Sequence, residues 1–465
     1  MCGVFGIRSV ERDVARLSYF GLFALQHRGQ EAAGIAVSDR GRLTVLRDMG
    51  LVAQVFDEEK LQALPGEVAI GHTRYSTTGA NAWANVQPLV QHGRARTVAL
   101  GHNGNLTNTT ELRDSLSADG IVLGATSDTE AIAALIADDP SPLPLAVAQA
   151  MARLEGAYSI VALSEGKLIG FRDPHGIRPL AIGRLTSPDG GIDWVLASET
   201  CAFDLIGAVY ERDVRPGEVV VIDENGLSST QALPEGRQAL CIFEHVYFAR
   251  PDSTLAGSEV HGVRVRMGER LAAEAPVAAD LVMPIPDSGT PAAVGYSRAS
   301  GIPYSEGLIK NRYVGRTFIQ PDDVLRQQGI KMKFNPLAEV AGQRLVIVDD
   351  SIVRGSTMRQ LVIMLFEARA AEVHVRVSSP PIVSPCFYGI DMADEEQLAA
   401  AHRSVEQMRE LIGATSLHYL SLEGMQAATR LPEASVCRAC FTRDYPTRVP
   451  ESRNLAKLRF EPAAR

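Results

Sequence analysis

The chain has 465 residues, 46% hydrophobic and 22% charged, a balance that excludes a disordered or fibrous chain, and its length exceeds one ordinary core, so two domains are expected. A net charge of −9 gives no general attraction to nucleic acid or anionic membrane, so an anionic ligand must be met by basic groups placed locally. Arg8, Glu11, Arg12, Asp13 and Arg16 interrupt the first residues as no signal peptide would be, and no apolar run approaches the roughly 18 residues of a membrane span. A cytoplasmic address is the expectation, and there the six cysteines are expected as nucleophile, metal ligands or core and not as disulfides.

The chain opens on "MCGVFGIRS", a thiol directly behind the initiator methionine. A residue as small as Cys2 permits removal of that methionine, which would leave one residue carrying both a thiol and a free α-amine. The α-amine titrates at about 7.7 to 8.0, so near neutrality it can take the thiol proton, and the residue becomes its own nucleophile and base. Only methionine precedes the cysteine in this sequence, so processing of a longer propeptide is not expected.

Up to about residue 233 the pattern is of short strands between turns: "RLTVLRD", "EVAIGHTRYS", "RTVALGHNG", "YSIVAL", "KLIGFRD", "DWVLAS" and "GEVVVIDENG". A helix is expected over Asp128 to Asp139, with Ile132, Leu135 and Ile136 at helical spacing behind a Ser/Asp cap. Mostly antiparallel strands with a few helices imply sheets covered by helices.

Four stretches of this half, "LQHRGQEAAGIAV", "IGHTRYSTTG", "LGHNGNLTN" and "TSDTEAI", concentrate polar groups beside glycine at strand ends, where backbone can approach a ligand closely. In this order behind Cys2 they resemble the glutaminase domain of the amino-terminal nucleophile, or class II, glutamine amidotransferases. The resemblance implies an αββα sandwich over residues 2–233. It makes Cys2 the nucleophile, Asn103 and the Gly104 N–H the oxyanion donors, Arg74 the partner of the glutamine carboxylate and Asp128 the partner of its ammonium. Arg28 and His72 take supporting places.

From about residue 260 the grammar changes to helix and strand in alternation, in "VRVRMGERLAAEA", "ADLVMPIPDSGTP", "AAVGYSRAS" and "RLVIVDD" followed by "TMRQLVIMLFEARA". Strands separated by crossover helices predict a parallel α/β sheet. The architecture turns over near "LPEGRQALC", which sets a second domain at 234–465.

"RLVIVDDSIVRGST" ends an apolar strand in Asp349 and Asp350 and passes through a Gly loop into a helix, the geometry of a phosphate site at the carboxyl edge of a sheet. A Walker-B reading would need G-x-x-x-x-G-K-[ST], and the only Gly-Lys pair, Gly166-Lys167, is followed by Leu168; no G-x-G-x-x-G is present either. The stretch resembles the phosphoribosyltransferase signature. That likeness implies ribose hydroxyls on Asp349 and Asp350, a 5′-phosphate in the loop Ser351, Arg354, Gly355, Ser356 and Thr357, and pyrophosphate on Asp287 and Ser288 of "MPIPDSGTP". One Mg²⁺ per subunit would sit at Ser288, Asp349 and Asp350. Lys310, Arg312, Arg316, Arg326, Lys331 and Lys333 lie between these loops and are expected to form a lid that closes on the polyphosphate.

Cys437 and Cys440 form C-x₂-C, and Cys241 and Cys386 could complete a Cys₄ set; the residues alone put structural zinc first and an iron–sulfur cluster second. The segments "CIFEHVYFARPDS", "SPPIVSPCFYGIDM" and the C-x₂-C are similar to the cluster-containing branch of the glutamine phosphoribosylpyrophosphate amidotransferase family, which reverses that order and implies a [4Fe–4S] cluster on Cys241, Cys386, Cys437 and Cys440. Cys201 is left as a buried small residue. The resemblance runs from Cys2 to Cys440. It implies phosphoribosylamine synthesis from glutamine and phosphoribosyl pyrophosphate, with ammonia carried from one site to the other, inhibition by purine nucleotides, and a homo-oligomer, a tetramer by family likeness. A hexosamine-phosphate synthase would share the first half but not "VIVDDSIVRGST", and a non-catalytic nucleotide sensor would not need Cys2 or the oxyanion donors.

Overall fold

The computed structural model describes every residue except 78, 188–189, 312–331, 393 and 450–465. Strict alternation of apolar side chains builds the first half. Along Gly3–Arg8, Phe5 and Ile7 face one core and Val4 the other; along Gly156–Ser164, Tyr158, Ile160 and Ala162 face one side and Val161 and Leu163 the opposite one. With both faces apolar, each strand must be covered on both sides.

The result is two stacked antiparallel sheets between helices. One sheet has seven strands in the order Val209–Asp213, Ala181–Thr186, Ile192–Ala197, Gly3–Arg8, Val68–Arg74, Ala32–Asp39 and Arg42–Met49. The other has six, in the order Gly226–Gln231, Glu218–Asp223, Lys167–Arg172, Gly156–Ser164, Thr97–Leu106 and Leu89–His92. Val4, Ile70, Val161, Leu168 and Leu196 fill the space between the sheets. Helix Val14–Ala24 covers the outer face of the first sheet, and helices Asp128–Asp138 and Leu143–Met151 cover that of the second. Each buried face removes apolar area from water at about 25 cal/mol per Å², and the four layers are αββα.

Ser127 stands at the N-cap of helix Asp128–Asp138, yet its hydroxyl makes no cap hydrogen bond and is buried without a partner. The expected Ser cap is therefore absent. The carboxylate of Asp128 in the first turn is turned away too, accepting from Leu106 N at 3.0 Å, because this helix start serves a neighbouring strand.

In the second half, strands Leu281–Pro284, Arg344–Asp349, Glu372–Val377 and Ser416–Tyr419 form a parallel sheet in that order. Helices Val260–Glu274 and Thr290–Ser300 cross so closely that a Cβ on Gly268 would lie 1.8 Å from Ala292 O, and one on Gly295 2.0 Å from Val265 O. Glycine is required at that crossing because main chain meets main chain. The expected boundary at 233/234 falls between strand Gly226–Gln231 and the two-residue strand Leu240–Cys241, which pairs in parallel with Val436–Cys437. Of the expected lid, Arg312, Arg316, Arg326 and Lys331 lie outside the described residues; the flanking strands Leu308–Lys310 and Phe334–Pro336 pair antiparallel. Among the described residues no helix is long and apolar enough to cross a membrane.

Gly295→Ala should lower stability by about 1–3 kcal/mol through overpacking at the helix crossing. Chemical denaturation of the purified variant checks this, and an unchanged midpoint would mean that the two helices part freely.

Candidate active site

Cys2 immediately precedes strand Gly3–Arg8, and the pairing of Gly3 with Thr73 sets it beside Arg74 at the end of strand Val68–Arg74. Cys2 is 8% exposed, and Met1 in front of it is 2% exposed. Burial pushes the thiol up, opposed by the chain-terminal amine, by a hydrogen bond donated from Sγ to Tyr75 O at 3.5 Å, and by the guanidinium of Arg74, while Glu31 adds to the rise. The thiol is therefore held neutral until a base takes its proton.

Arg74 is buried, donating to Ala80 O at 3.0 Å, with the Glu31 carboxylate 3.7 Å away. Asp128 lies across the sandwich. Burial alone would push its pKa up, but the imidazole of His102 at 3.5 Å and the Leu106 N–H outweigh burial and keep the carboxyl below the ordinary value, so it is an anion. One guanidinium and one carboxylate at the same end of the sandwich suit the two charged ends of an amino acid.

Asn103 is fully buried, and both its side-chain oxygen and nitrogen are without a partner. An unsatisfied buried amide costs about 1–3 kcal/mol, a cost that a substrate oxygen at the amide would relieve. Gly104 follows with φ +153°, and a Cβ there would lie 2.0 Å from Ala157 O, so strand Thr97–Leu106 can pass its neighbour only with glycine at this point. His72 is buried with its ring bonded to His102 O and its pKa lowered to about 3, chiefly by desolvation, so it is a neutral packing group.

Sequence reasoning did not find the contribution of the second half to this site. Asn105 donates to Phe387 O at 3.1 Å, Tyr75 donates to Asp391 at 3.3 Å, and a Cβ on Gly389 would lie 3.0 Å from the Gly104 carbonyl. The only local signal was "CFYGID" itself, whose glycine has φ +101°. Arg28, expected only in a supporting place, is fully buried and donates from Nε to Cys2 O at 2.9 Å.

At the second site, Asp349 ends strand Arg344–Asp349 and Asp350 follows it, both at the carboxyl edge of the parallel sheet. Desolvation raises the titration of both carboxyls, and for Asp349 the neighbouring Asp350 adds to the rise; hydrogen bonds from Ser288 and Ser351 and the charge of Arg264 hold Asp350 back. Asp287, in the loop after strand Leu281–Pro284, is paired with Lys310. Gly355 turns the chain at φ +78° into helix Ser356–Glu367, whose first turn carries no acidic residue; Arg354, Ser356 and Thr357 are exposed beside that positive helix end. The structure thus brings all of the expected sugar-phosphate residues to one edge.

The four expected cluster cysteines meet in one core. Cys241 pairs in register with Cys437, Cys440 O accepts from Val383 N at 2.9 Å and Ser384 N at 3.1 Å, and Cys386 lies two residues beyond. The Cys440 thiol is pushed up, first by burial and then by Cys241, Cys437 and Cys386 in turn, so all four sulfurs are electrostatic neighbours. Among the described residues, however, no group of three or more His, Cys, Asp or Glu side chains is gathered closely enough to hold a metal ion. Cys201 is buried, with its thiol against Glu199 and Ala24 O, and every cysteine is free.

Residues 72–204 match the glutamine amidotransferase domain family. The chain is 52% identical to the amidophosphoribosyltransferase of Synechococcus elongatus over 464 residues, covering 99% of this chain and 94% of that protein. To the Bacillus subtilis amidophosphoribosyltransferase it is 46% identical, covering 96% and 94%. The fold superposes with a TM-score of 0.90, at 46% identity over 97% of this chain and 98% of the other, on a solved glutamine phosphoribosylpyrophosphate amidotransferase from B. subtilis complexed with ADP and GMP. A solved allosteric regulatory enzyme of purine biosynthesis gives a TM-score of 0.92 at 45% identity, with 98% of each chain covered. An amino-terminal nucleophile glutaminase sandwich followed by a phosphoribosyltransferase-type domain is the architecture of these neighbours and of this chain, which belongs to the amidophosphoribosyltransferase family, the glutamine-dependent transferases that open purine nucleotide synthesis.

Proposed function

We propose that Cys2, exposed as the first residue by loss of Met1, attacks the side-chain amide of glutamine, and that the ammonia released displaces pyrophosphate from phosphoribosyl pyrophosphate to give 5-phosphoribosylamine. The observation that carries this reading is the Asn103 amide, buried and without a partner at the end of the sandwich where Cys2 stands. The α-amine of Cys2 takes the thiol proton, the sulfur adds to the amide carbon, and the oxyanion is met by the Asn103 amide and the Gly104 N–H. Arg74 and Asp128 orient the substrate. The tetrahedral intermediate then collapses: the Cys2 ammonium returns its proton to the amide nitrogen, the C–N bond breaks to release ammonia, and water hydrolyses the remaining thioester to glutamate.

The product must travel as neutral ammonia, since ammonium has no lone pair with which to attack the sugar carbon, so the two units, taken as 2–233 and 234–465, work as one enclosed system. Asp349 and Asp350 hold the ribose hydroxyls, the loop Ser351 to Thr357 holds the 5′-phosphate, and Asp287 and Ser288 stand at the pyrophosphate. The oxygen-only donor set of Asp349, Asp350 and Ser288 fits magnesium, and the two raised carboxyls fit a place that a cation would relieve. When bound, that ion supplies positive charge against the departing pyrophosphate.

Three buried thiols, Cys241, Cys437 and Cys440, with the partly buried Cys386 packed beside them, are the donors that would hold an iron–sulfur cluster. We infer further that purine nucleotides inhibit this enzyme, as a neighbour is solved with ADP and GMP bound, that the assembly is a homo-tetramer, and that the compartment is the cytoplasm.

Cys2→Ser should abolish glutamine-dependent synthesis and leave synthesis from added ammonia, each measured by pyrophosphate release; loss of both together would contradict two separate sites. Asp349→Asn should suppress transfer from either nitrogen source and yet raise the melting temperature of the ligand-free protein near pH 8. A carboxyl whose folded pKa is raised takes up protons on folding, so its stability contribution is full below the unfolded value of about 3.9 and falls as pH climbs through the folded value. The gain should therefore vanish toward pH 4, and a melting temperature equally raised there would contradict the account. Metal analysis after anaerobic purification should find iron and sulfide in about equal, four-atom amounts per chain. Zinc in their place would overturn the cluster.

A further inference from the structure

Four charged side chains, all fully buried, meet behind the proposed nucleophile. Arg28 donates from Nη2 to Glu244 Oε1 at 2.9 Å and from Nη1 to Glu244 Oε2 at 3.1 Å, while its Nε holds Cys2 O at 2.9 Å. Its Nη1 is also paired with Glu199, whose carboxylate accepts from Ser253 Oγ at 2.7 Å and Arg250 N at 2.8 Å. Arg178 approaches Glu244 Oε1 at 3.3 Å and donates to Tyr388 O at 2.8 Å. Two guanidinium groups and two carboxylates balance, with no formal charge left over.

Glu244 is the member from the second half of the chain that grips Arg28 with both oxygens. It opens the short helical turn Glu244–Phe248, and Arg264 of helix Val260–Glu274 pins that turn by donating to His245 O and Ala249 O, each at 2.8 Å. A fork-to-fork pair fixes both distance and plane, so the Arg28 guanidinium cannot swing away from Cys2 O while Glu244 stays in place. The same guanidinium groups flank the thioether of Met1, with Arg28 Nη2 at 4.0 Å and Arg178 Nη1 at 2.6 Å from Sδ. Removal of Met1 would thus free the Cys2 amine next to this network.

We propose that Glu244 is a positioning residue for the glutamine half-reaction: acting through Arg28, it sets the main chain of Cys2 from across the boundary between the two halves. This rests on the assignment of Cys2 as nucleophile. Glu244 touches neither substrate, so its removal should disturb the aim of the sulfur and leave the sugar-phosphate site as it is.

The test measures three quantities on the full-length enzyme: steady-state rates with glutamine, rates with ammonia, and the rate at which 6-diazo-5-oxo-L-norleucine alkylates Cys2, read by peptide mass spectrometry. Glu244→Gln should lower kcat with glutamine and the alkylation rate by about tenfold to a hundredfold, the size of a misaligned nucleophile. The KM for glutamine should change by less than about threefold, because Arg74 and Asp128 are untouched, and the ammonia-dependent rate should stay within about twofold. Breaking a buried charge pair can unfold a protein, so Glu244→Asp is the second variant: it keeps the charge, shortens the reach, and should show a smaller loss confined to the glutamine-dependent rate and alkylation. An unchanged glutamine rate in either variant that folds, or equal losses with glutamine and ammonia, would overturn the proposal. Alkylation of the unsubstituted enzyme at a residue other than Cys2 would instead overturn the nucleophile assignment on which it rests.

Discussion

A chain terminus is ordinarily solvated, and here the second residue is buried. That constraint organises the first half of the protein. Cys2 reaches its place because Gly3–Arg8 is an inner strand of the seven-stranded sheet, paired on one side with Val68–Arg74 and on the other with Ile192–Ala197. Hydrophobic burial of Val4, Phe5 and Ile7 holds that strand, and the strand holds the sulfur. A thiol in so dry a setting stays protonated, so its activation needs a base close by, and the proposed base is the α-amine that Cys2 would gain on loss of Met1.

The second site uses burial in the opposite sense. Two adjacent carboxyls at the end of a parallel strand repel one another, and the protein accepts that cost where a sugar diphosphate and its cation would be bound. Between the two sites run the segments that carry the cysteines. Cys386 leads into Phe387 and Gly389, which lie against Asn105 and Gly104, and Cys241 leads into Glu244, which grips Arg28. The cysteine core therefore sits on the same pieces of chain that touch the glutaminase strand, so disorder in that core would reach the first site by a short covalent path.

Much of this was legible along the chain. The short strands between turns, "YSIVAL" and "EVAIGHTRYS" among them, implied sheets covered by helices, the switch to helix and strand after residue 260 implied the parallel sheet, and "VIVDDSIVRGST" implied a strand that ends in two carboxyls before a glycine loop and a helix. What escaped reading depends on contacts between distant residues. Arg28 and Glu244 are 216 positions apart, and neither has a neighbour in sequence that hints at the other. Likewise Gly389 gave no sign of its approach to Gly104, since a glycine in a loop is common for many reasons. Ser127 misled in the other direction: a serine before a helical pattern suggests a cap, but here burial against a functional helix start leaves its hydroxyl unpaired.

The central claim is chemical, that one residue supplies both the attacking sulfur and the base. It is tested most directly by acid-quenching the working enzyme during turnover with glutamine and mapping the peptide at its amino terminus by mass spectrometry. The account predicts that the peptide begins at Cys2 and carries a γ-glutamyl group on its sulfur; a fully active preparation that retains Met1, or a γ-glutamyl group found on another residue, would contradict it.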